Sequence, residues 1–532
     1  MADWFLILAT SITFLLLLVA AVYFLVYYQH PDDRNDAYFP KLTVILGLVL
    51  AGATVLLLPL DVANNEGYAG CDGYDTRLCG GLNMQLFWDI FYYAIPAFVF
   101  LFIPFMTFFY EADDGMLMAG TSIGAKPNNR FLEAIKYEFF VILIFGSLFV
   151  AGYLILGESE IPVTTFEQTV AAYKDVETTG SNGTFDLTML PNMTDFSHQV
   201  NFHIEETISV AVSLPTFLSA FMAFIGWFIF AIFGGIGLAA LPLDMILAFV
   251  RRPRRLDPSE FADAQVNIRN RTNELVNIGE LLKVERDQRL NDMGGSRKMF
   301  SRFSGAGREE RSAFLEFKKA VFLLETDVEE FLDSSANYEN YNPLKPFFSL
   351  LGGIVAFVLS AVWIVQVAIY IAPPEPLHPL LNDYFQIFEG FFPLLGILSV
   401  ALFSMYLLLC AVKGCFKFGF RFMLFEIHPM KPGKTYMSSF MFNVALVLLC
   451  SLPVVQFTVT AFPEYARYTN VVNIMGTQVQ YIKFFSWFWV NKVFIYAILG
   501  VTGLTTLWLA FAPSDKPVKK KGLFARLKKN KT

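Results

Sequence analysis

Long apolar runs alternate with short polar segments along most of the chain. Nine of these runs reach or approach the ~20 residues that a helix needs to cross a bilayer. They cover approximately 4–28, 39–60, 86–110, 134–156, 208–232, 347–371, 385–412, 439–460 and 486–511. The first run has no basic segment before it and no small-residue cleavage site after it, so we interpret it as a span and not a signal peptide. The pattern predicts an all-α polytopic integral membrane protein with nine transmembrane helices.

Composition and charge agree with this class and add an orientation. Only 16% of the 532 residues are charged, against about a quarter in soluble proteins. An outside amino terminus and a cytosolic carboxyl terminus place nearly all of the 40 Lys and Arg on the cytosolic side, as the positive-inside rule requires. The basic run Arg251 to Arg255 follows the fifth span directly, and the tail 512–532 is also basic.

The charge pattern also divides the chain. A first membrane block, 1–250, contains spans one to five and the predicted outer loops 61–85 and 157–207. A charged segment, 251–345, separates it from a second membrane block, 346–511, which the basic cytosolic tail 512–532 follows.

The separating segment 251–345 has the pattern of two amphipathic helices around a Gly/Ser-rich break at 291–309. Apolar residues recur at helical spacing in both arms: Phe261, Ile268, Leu275, Ile278 and Leu282, then Phe314, Phe317, Val321, Leu324, Val328 and Phe331. We expect a cytosolic helical hairpin that packs its own apolar stripes together. The alternative is a docking surface for a partner protein or for a second copy of the chain.

Two outer loops carry residues suited to an oxidising, glycosylating compartment. Asn182 and Asn192 begin glycosylation sequons in the acidic loop 157–207. Cys71 and Cys79 lie in the loop 61–85, where they can form a disulfide. A third sequon, at Asn270, falls in the cytosolic segment and should stay without sugar. We favour loop 157–207 as a solubilising cover over a ligand platform.

The string LPLD occurs at Leu58 to Asp61 and again at Leu241 to Asp244. Proline removes a helical hydrogen bond, so we interpret both strings as boundary signals, in preference to a proton or ion relay at the aspartates. The apolar run 208–250 is too long for one span, which predicts a span followed by a bent continuation beyond Pro242.

A few polar residues lie within or beside the apolar runs: Asp89, Gln366, Glu389, Gln456 and Lys492. We hypothesise that Asp89, Glu389 and Lys492 line an outward-facing cavity, because intramembrane ionisable groups usually face water or the bundle interior. The sequence has no phosphate-binding loop, zinc-protease motif or nucleophilic triad. It therefore predicts no enzyme, no cofactor and no metal site.

Several strings resemble the limb-region/lipocalin-interacting membrane receptor (LIMR) family, most closely its plant and protist branch. They are YYQHPDDRNDAYFPK (27–41), LLLPLDVAN (56–64), IPFMTFFYE (103–111), FGGIGLAALPL (233–243) and EIHPMKPGKTYMSSFMFNVALVLLC (426–450). The resemblance covers nearly the whole chain. It implies nine spans, an outside amino terminus and a long cytosolic loop after span five. Animal members are similar to receptors that internalise a lipocalin, lysosomal escorts for a cobalamin exporter, and regulators of receptor signalling.

The HPMKPGKTYM string places His428, Lys431 and Lys434 on the predicted cytosolic side, just before span eight. Its prolines and glycine indicate a stiff turn that could seat a phosphate head group or a partner protein. We favour the simpler interpretation, a rigid connector between helices.

The sequence therefore favours a non-enzymatic receptor or trafficking protein of the plasma or endolysosomal membrane, whose ligand it leaves undefined. YNPL (Tyr341 to Leu344) matches a tyrosine-type sorting signal for endocytosis, although it lies directly against span six. Predicted partners are the lipid bilayer, anionic lipid at the basic tail, and proteins or a second copy at 251–345, with no nucleic acid. The alternative function is a secondary transporter or a carrier of lipid or organic solute through the bundle.

Overall fold

The structure, a computed structural model, consists mainly of long helices formed by the apolar runs. It describes residues 4–34, 37–65, 82–118, 127–166, 203–250, 258–292, 317–325, 327–328, 331–332, 344–418, 420–422, 425–427, 430, 432–467 and 469–511.

The amino-terminal half contains seven helices and a β-hairpin. The helices are α1 (Trp4–Tyr28), α2 (Tyr38–Asn65), α3 (Met84–Ala97), α4 (Ile103–Met118), α5 (Pro127–Leu156), α6 (Leu214–Val250) and α7 (Pro258–Asp292). A π-helical turn, Phe98–Phe102, joins α3 to α4. Strands β1 (Glu158–Phe166) and β2 (His203–Ala211) pair antiparallel between α5 and α6, with Ile161 opposite Ile208.

Among the described residues of the carboxyl-terminal half, 317–325 are helical, and six further helices and a small antiparallel pair of strands follow from Leu344 onward. The helices are α8 (Leu344–Gln366), α9 (Leu380–Phe391), α10 (Pro393–Phe418), α11 (Met437–Ala461), α12 (Phe485–Val490) and α13 (Val493–Phe511). A π-helical turn, Val367–Ile371, extends α8, and another, Val472–Gln478, precedes α12. The strands are β3 (Phe420–Phe422) and β4 (Phe425–Ile427).

Within the described residues, nine helical segments are long and apolar enough to cross a membrane. They are Leu6–Tyr28, Tyr38–Asn64, Met84–Ala112, Phe131–Leu156, Leu214–Val250, Pro346–Ile371, Leu394–Lys417, Met437–Ala461 and Val493–Phe511. The prediction of an all-α polytopic membrane protein is confirmed.

The seventh span begins later than the sequence pattern indicated. Pro393 starts α10, and Phe392 before it is extended, with φ −163° and ψ 120°. Proline disfavours helical geometry in the preceding residue and is tolerated at the first helical position. The predicted span 385–412 is therefore divided, and Glu389 lies in the separate helix α9.

The fifth span also begins later, and both LPLD strings lie inside helices. Residues 208–211 belong to strand β2, so α6 starts at Leu214. Helix α2 continues through Pro59 to Asn65, and α6 continues through Pro242 to Val250. Neither proline ends its helix, because membrane helices tolerate proline where neighbouring groups satisfy the freed backbone. The first string lies four residues before the end of α2, and the continuation of α6 beyond Pro242 is present as expected.

The chain divides into two compact units. The larger, which we call the bundle unit, comprises Met1–Leu241 and Val358–Thr506. Helix α11 is the most enclosed of its spans and packs against α2 and α10. By contrast, α5 exposes apolar side chains such as Phe139, Phe140 and Ile144. Their exposure suits contact with lipid.

The second unit comprises Pro242–Phe357 and Leu507–Thr532. Phe261 stacks on Phe331 with ring centroids 5.0 Å apart, and Arg271 donates a 2.7 Å hydrogen bond to Asp327. These two contacts run in the order expected of an antiparallel helix pair. The connection 293–316 lies outside the described residues, so the complete hairpin stays a prediction.

Candidate functional site

A cavity of about 210 Å³ opens into the bundle unit. Its walls come from α6, the end of α8, α11 and the segment around α12, and they include Trp227, Gln456, Phe488, Trp489, Lys492 and Phe494. Ligand sites typically combine apolar and aromatic walls with a few placed polar groups, as this cavity does. Sites for drug-sized molecules occupy about 300–1,000 Å³. This cavity therefore has room for one ring system or part of an acyl chain.

Trp227 and Gln456 form a buried polar contact in the cavity wall. The Trp227 indole N–H donates to Gln456 Oε1 at 2.9 Å, while Gln456 Nε2 donates to the Met475 carbonyl oxygen at 3.2 Å. Both ends of the Gln456 amide are thus engaged, which fixes its orientation. Trp227 also stacks on Phe494, with ring centroids 5.3 Å apart.

Lys492 supplies the positive charge of the cavity. Lys492 has a φ of 52° and lies in the turn between α12 and α13. The ammonium donates to the carbonyl oxygens of Ile371 at 2.8 Å and Pro373 at 2.5 Å. No carboxylate forms an ion pair with it among the residues that the structure describes. The charge therefore has dipolar neighbours but no described counter-charge, which favours a ligand with a negative or negatively polarised head.

Trp489 offers a further donor in the cavity wall. Its indole nitrogen is buried and has no hydrogen-bond partner within the described part of the chain. Buried donors normally have a partner. The Trp489 N–H is therefore the group of this wall best placed to donate a hydrogen bond to a ligand.

Farther along α6, the helices meet at backbone contact. A Cβ atom on Gly237 would lie 1.8 Å from the Cys410 carbonyl oxygen, and one on Gly414 would lie 1.9 Å from the Phe233 carbonyl oxygen. Small residues permit this close approach of membrane helices. The contact at Gly237 is about 15 Å along α6 from Trp227, at 1.5 Å per residue. Helices α6 and α10 are therefore packed without a gap at this level.

Strands β1 and β2 are attached, through β1, to the segment 481–483, which follows the cavity residue Gln480. The Glu160 N–H donates to the Tyr481 carbonyl oxygen at 2.9 Å, and the Lys483 N–H donates to the Glu158 carbonyl oxygen at 3.2 Å. The Lys483 ammonium also forms an ion pair with the Glu158 carboxylate. This hydrogen-bonded pair lowers the pKa of Glu158 and raises the pKa of Lys483.

Two of the strings singled out in the sequence, 27–41 and 426–450, meet where helices α2 and α11 begin. The Thr435 N–H donates to the Tyr28 carbonyl oxygen at 3.1 Å, and the His30 N–H donates to the Thr435 carbonyl oxygen at 2.9 Å. The His30 ring stacks on Tyr436 with centroids 4.4 Å apart. The chain after α1 and the turn before α11 thus form one hydrogen-bonded structure.

Comparisons with known proteins agree with these strings. A family model described as LMBR1-like membrane protein matches residues 6–301 and 308–509. The chain belongs to this LMBR1-like, or LIMR, family. A LIMR family protein of Dictyostelium discoideum is 33% identical over 98% of this chain and 99% of its own length. LIMR family proteins of Oryza sativa subsp. japonica and Arabidopsis thaliana are 31% and 30% identical, over 95% and 94% of this chain and 95% of their own lengths. No solved structure matches the chain significantly.

The structure of this LIMR family chain brings one of the three hypothesised cavity residues into the cavity. Lys492 lines it, whereas Asp89 and Glu389 are not among its lining residues. Both acids are half-buried, Asp89 on α3 and Glu389 on α9.

Several residues that the sequence singled out lie outside the described part of this LIMR family chain: Cys71, Cys79, Asn182, Asn192, His428 and Lys431. Lys434 is described and exposed. Cys410, Cys415 and Cys450 are buried and free.

Sequence reasoning missed the tryptophans of the cavity and the depth of Asp61. Trp227 lies inside a span, although tryptophan in membrane proteins is usually enriched at the interfaces. That position, together with the polar Gln456 inside span eight, was the available signal. Asp61 is fully buried near the end of α2, and only its three-dimensional partners reveal this.

Proposed function

We propose that this LIMR family chain is a non-enzymatic membrane receptor or trafficking protein that binds its ligand from the side of the β-hairpin. In the predicted orientation that side is outside or lumenal. The ligand would have an apolar or aromatic body against Trp227 and Phe488 and a negatively polarised head near Lys492. The segment 251–345 would meet cytosolic machinery.

The observation that carries this proposal is the cavity beside a tightly packed bundle. A carrier must open a route for its solute between the two membrane faces. Here the backbone contacts at Gly237 and Gly414 pack α6 directly on α10. A small cavity beside directly packed helices suits recognition better than passage. The resemblance to receptors and escorts supports the same interpretation.

A carrier of lipid or organic solute is the second candidate. One observation favours it: the cavity reaches Gln456 and Trp227, which lie well inside their spans. The two functions make different demands on the purified protein, because a carrier needs no other component.

Transport is the first test. Liposomes containing only this protein would be loaded with radiolabelled short-chain fatty acids, and fluorescent phospholipids would be followed by dithionite quenching. The receptor proposal expects no movement above that of protein-free liposomes. Movement that Lys492→Met or Glu389→Gln reduces, and that Lys434→Met leaves unchanged, would favour the carrier.

Internalisation is the second test. An epitope placed in loop 157–207 would be labelled on living cells and its uptake measured. Tyr341→Ala should slow uptake, whereas Tyr338→Ala, three residues earlier and outside the YNPL string, should not. Replacing 258–332 by a flexible linker should also slow uptake. Uptake at the wild-type rate in both variants would contradict the trafficking proposal.

A further inference from the structure

Asp61 is a buried acid in the last turn of α2, apart from the roles proposed above. Its relative exposure is 0%. Its Oδ2 atom accepts two hydrogen bonds, from the Trp88 indole N–H at 2.9 Å and from the Asn470 backbone N–H at 3.0 Å. These contacts join α2, α3 and the segment before α12. The Val471 backbone N–H and the Asn470 side-chain amide also lie beside the carboxylate, so the donors described around the acid are all neutral.

Three polar atoms around this contact have no hydrogen-bond partner among the described residues. They are Asp61 Oδ1, the Tyr92 hydroxyl and Asn470 Nδ2, all of them buried. Tyr92 is 1% exposed and lies one turn after Trp88 on α3, with the two rings stacked at 5.7 Å. Buried polar groups without partners are rare in folded proteins, and bound water or a bound ion is one explanation for them.

The charge of Asp61 has no described counter-charge either. No Lys, Arg or His in the described part of the chain forms an ion pair with it. An ionised carboxylate without compensation is very costly in a buried, membrane-embedded position. The neutral donors from Trp88 and Asn470 leave its full negative charge in place. A bound proton or another cation would neutralise this charge.

We infer that Asp61, Tyr92 and Asn470 form a binding site for one monovalent cation, Na⁺ or a proton. A single carboxylate balances one positive charge. Asp61 Oδ1 and the Tyr92 hydroxyl are oxygen ligands of the kind that hard cations prefer. The Asn470 amide can present its oxygen instead of its nitrogen by a 180° rotation, since the two atoms are assigned from their hydrogen bonds.

Other titratable groups lie on the elements packed against Asp61. They are Asp89 and Tyr92 on α3, and Glu464, Tyr465 and Arg467 in the turn before Asn470. Asp89 follows Trp88 directly in the sequence, and its side chain is half-buried. Asp89 has no hydrogen bond to Asp61 among the described contacts, so Asp89→Asn is a control that removes a nearby acid and leaves the contacts of Asp61 in place.

The test measures thermal unfolding of the full-length protein in lipid nanodiscs. One series raises NaCl at pH 8 with N-methyl-D-glucamine chloride keeping the ionic strength constant, and KCl serves as the size control. A second series lowers the pH from 8 to 5 without Na⁺. A ligand that binds only the folded state raises the unfolding temperature. The proposal expects a saturable upward shift with Na⁺ if the site holds sodium, or with falling pH if it holds a proton.

Substitutions then assign the response to this site. Asp61→Asn should abolish the shift, and Asp89→Asn should retain it. Tyr92→Phe keeps the aromatic stack and removes one oxygen, so it should raise the half-maximal Na⁺ concentration about tenfold. If Asp61→Asn does not fold, two other variants decide. For sodium, the deciding measurement is the Na⁺ response of Tyr92→Phe. For a proton, it is the change in unfolding temperature between pH 8 and pH 5, which Asn470→Ala should alter. No shift in either series, or an unchanged shift in these variants, would overturn the proposal and leave buried water as the occupant.

Discussion

Asp33 caps the first turn of α11 from a position 404 residues away in the sequence. Its Oδ2 atom accepts the Met437 backbone N–H at 3.2 Å, and its Oδ1 atom accepts the Tyr110 hydroxyl at 2.8 Å. The first N–H groups of a helix have no partner within the helix, and a negative charge there is favourable. One acid thus joins the loop after α1, helix α4 and the most enclosed span.

Asp33→Ala should lower the stability of the bundle unit. The substitution leaves the buried Met437 N–H without its acceptor and removes one hydrogen bond of the half-buried Tyr110 hydroxyl. The loss of an acceptor for a buried donor costs about 1–3 kcal/mol. Thermal unfolding of the detergent-solubilised protein measures it. Asp32→Ala is the matched control, because the Asp32 side chain is 77% exposed. Equal unfolding temperatures for the two variants would show that the cap contributes nothing.

Gly237→Ala should disrupt the packing of α6 on α10. The new Cβ would lie 1.8 Å from a backbone oxygen that cannot move independently, so the helices must separate. Gly500→Ala introduces the same methyl group on α13, where no atom lies within 4 Å. We expect the first variant to lose its monodisperse peak in size-exclusion chromatography and the second to retain it. A monodisperse Gly237→Ala protein would refute the close contact.

Much of this fold could be predicted from the sequence, because membrane helices satisfy their backbone locally. The nine apolar runs became nine spans for that reason. The strands were missed because β1 and β2 depend on pairing across a long intervening segment. Lys492 was identified by its charge alone, whereas Trp227 and Asp61 were not. Their roles come from partners such as Gln456 and Trp88, which are distant in the sequence.

Gln456→Leu should destabilise the protein more than its size suggests. It removes the acceptor of the Trp227 indole N–H and the donor to Met475, and each unsatisfied buried group costs about 1–3 kcal/mol. Thr460→Val, one turn later in the same helix and also in the cavity wall, is the control. Its hydroxyl bonds only to the carbonyl oxygen of Gln456 among the described contacts. Thermal unfolding should show a clearly larger loss for Gln456→Leu.

Glycan mapping tests the predicted orientation. Asn182 and Asn192 should carry N-linked sugar and Asn270 should not, since only lumenal segments meet the transferase. Mass spectrometry before and after peptide-N-glycosidase treatment, with Asn→Gln variants at each position, measures the occupancy. Sugar on Asn270 with none on the other two would reverse the orientation.

The ion pair of Glu158 and Lys483 should make the attachment of β1 sensitive to pH. The pKa of Glu158 is lowered in the folded protein, chiefly by the hydrogen bond from Lys483, so its contribution is present above the ordinary glutamate pKa. It is lost as the pH falls through the lowered value. The pKa of Lys483 is raised, so its contribution is lost only as the pH rises through that higher value.

The pair should therefore act across the neutral range and weaken in acid. Both side chains are exposed, so the effect should be small and should decrease at high salt. Hydrogen exchange at the Glu160 and Lys483 amides measures it, because these amides form the backbone contacts beside the pair. Glu158→Gln should speed their exchange at pH 7 more than Glu160→Gln, whose carboxylate lies 3.5 Å from the same ammonium. Equal protection in both variants would mean that the backbone contacts alone hold β1 to the bundle.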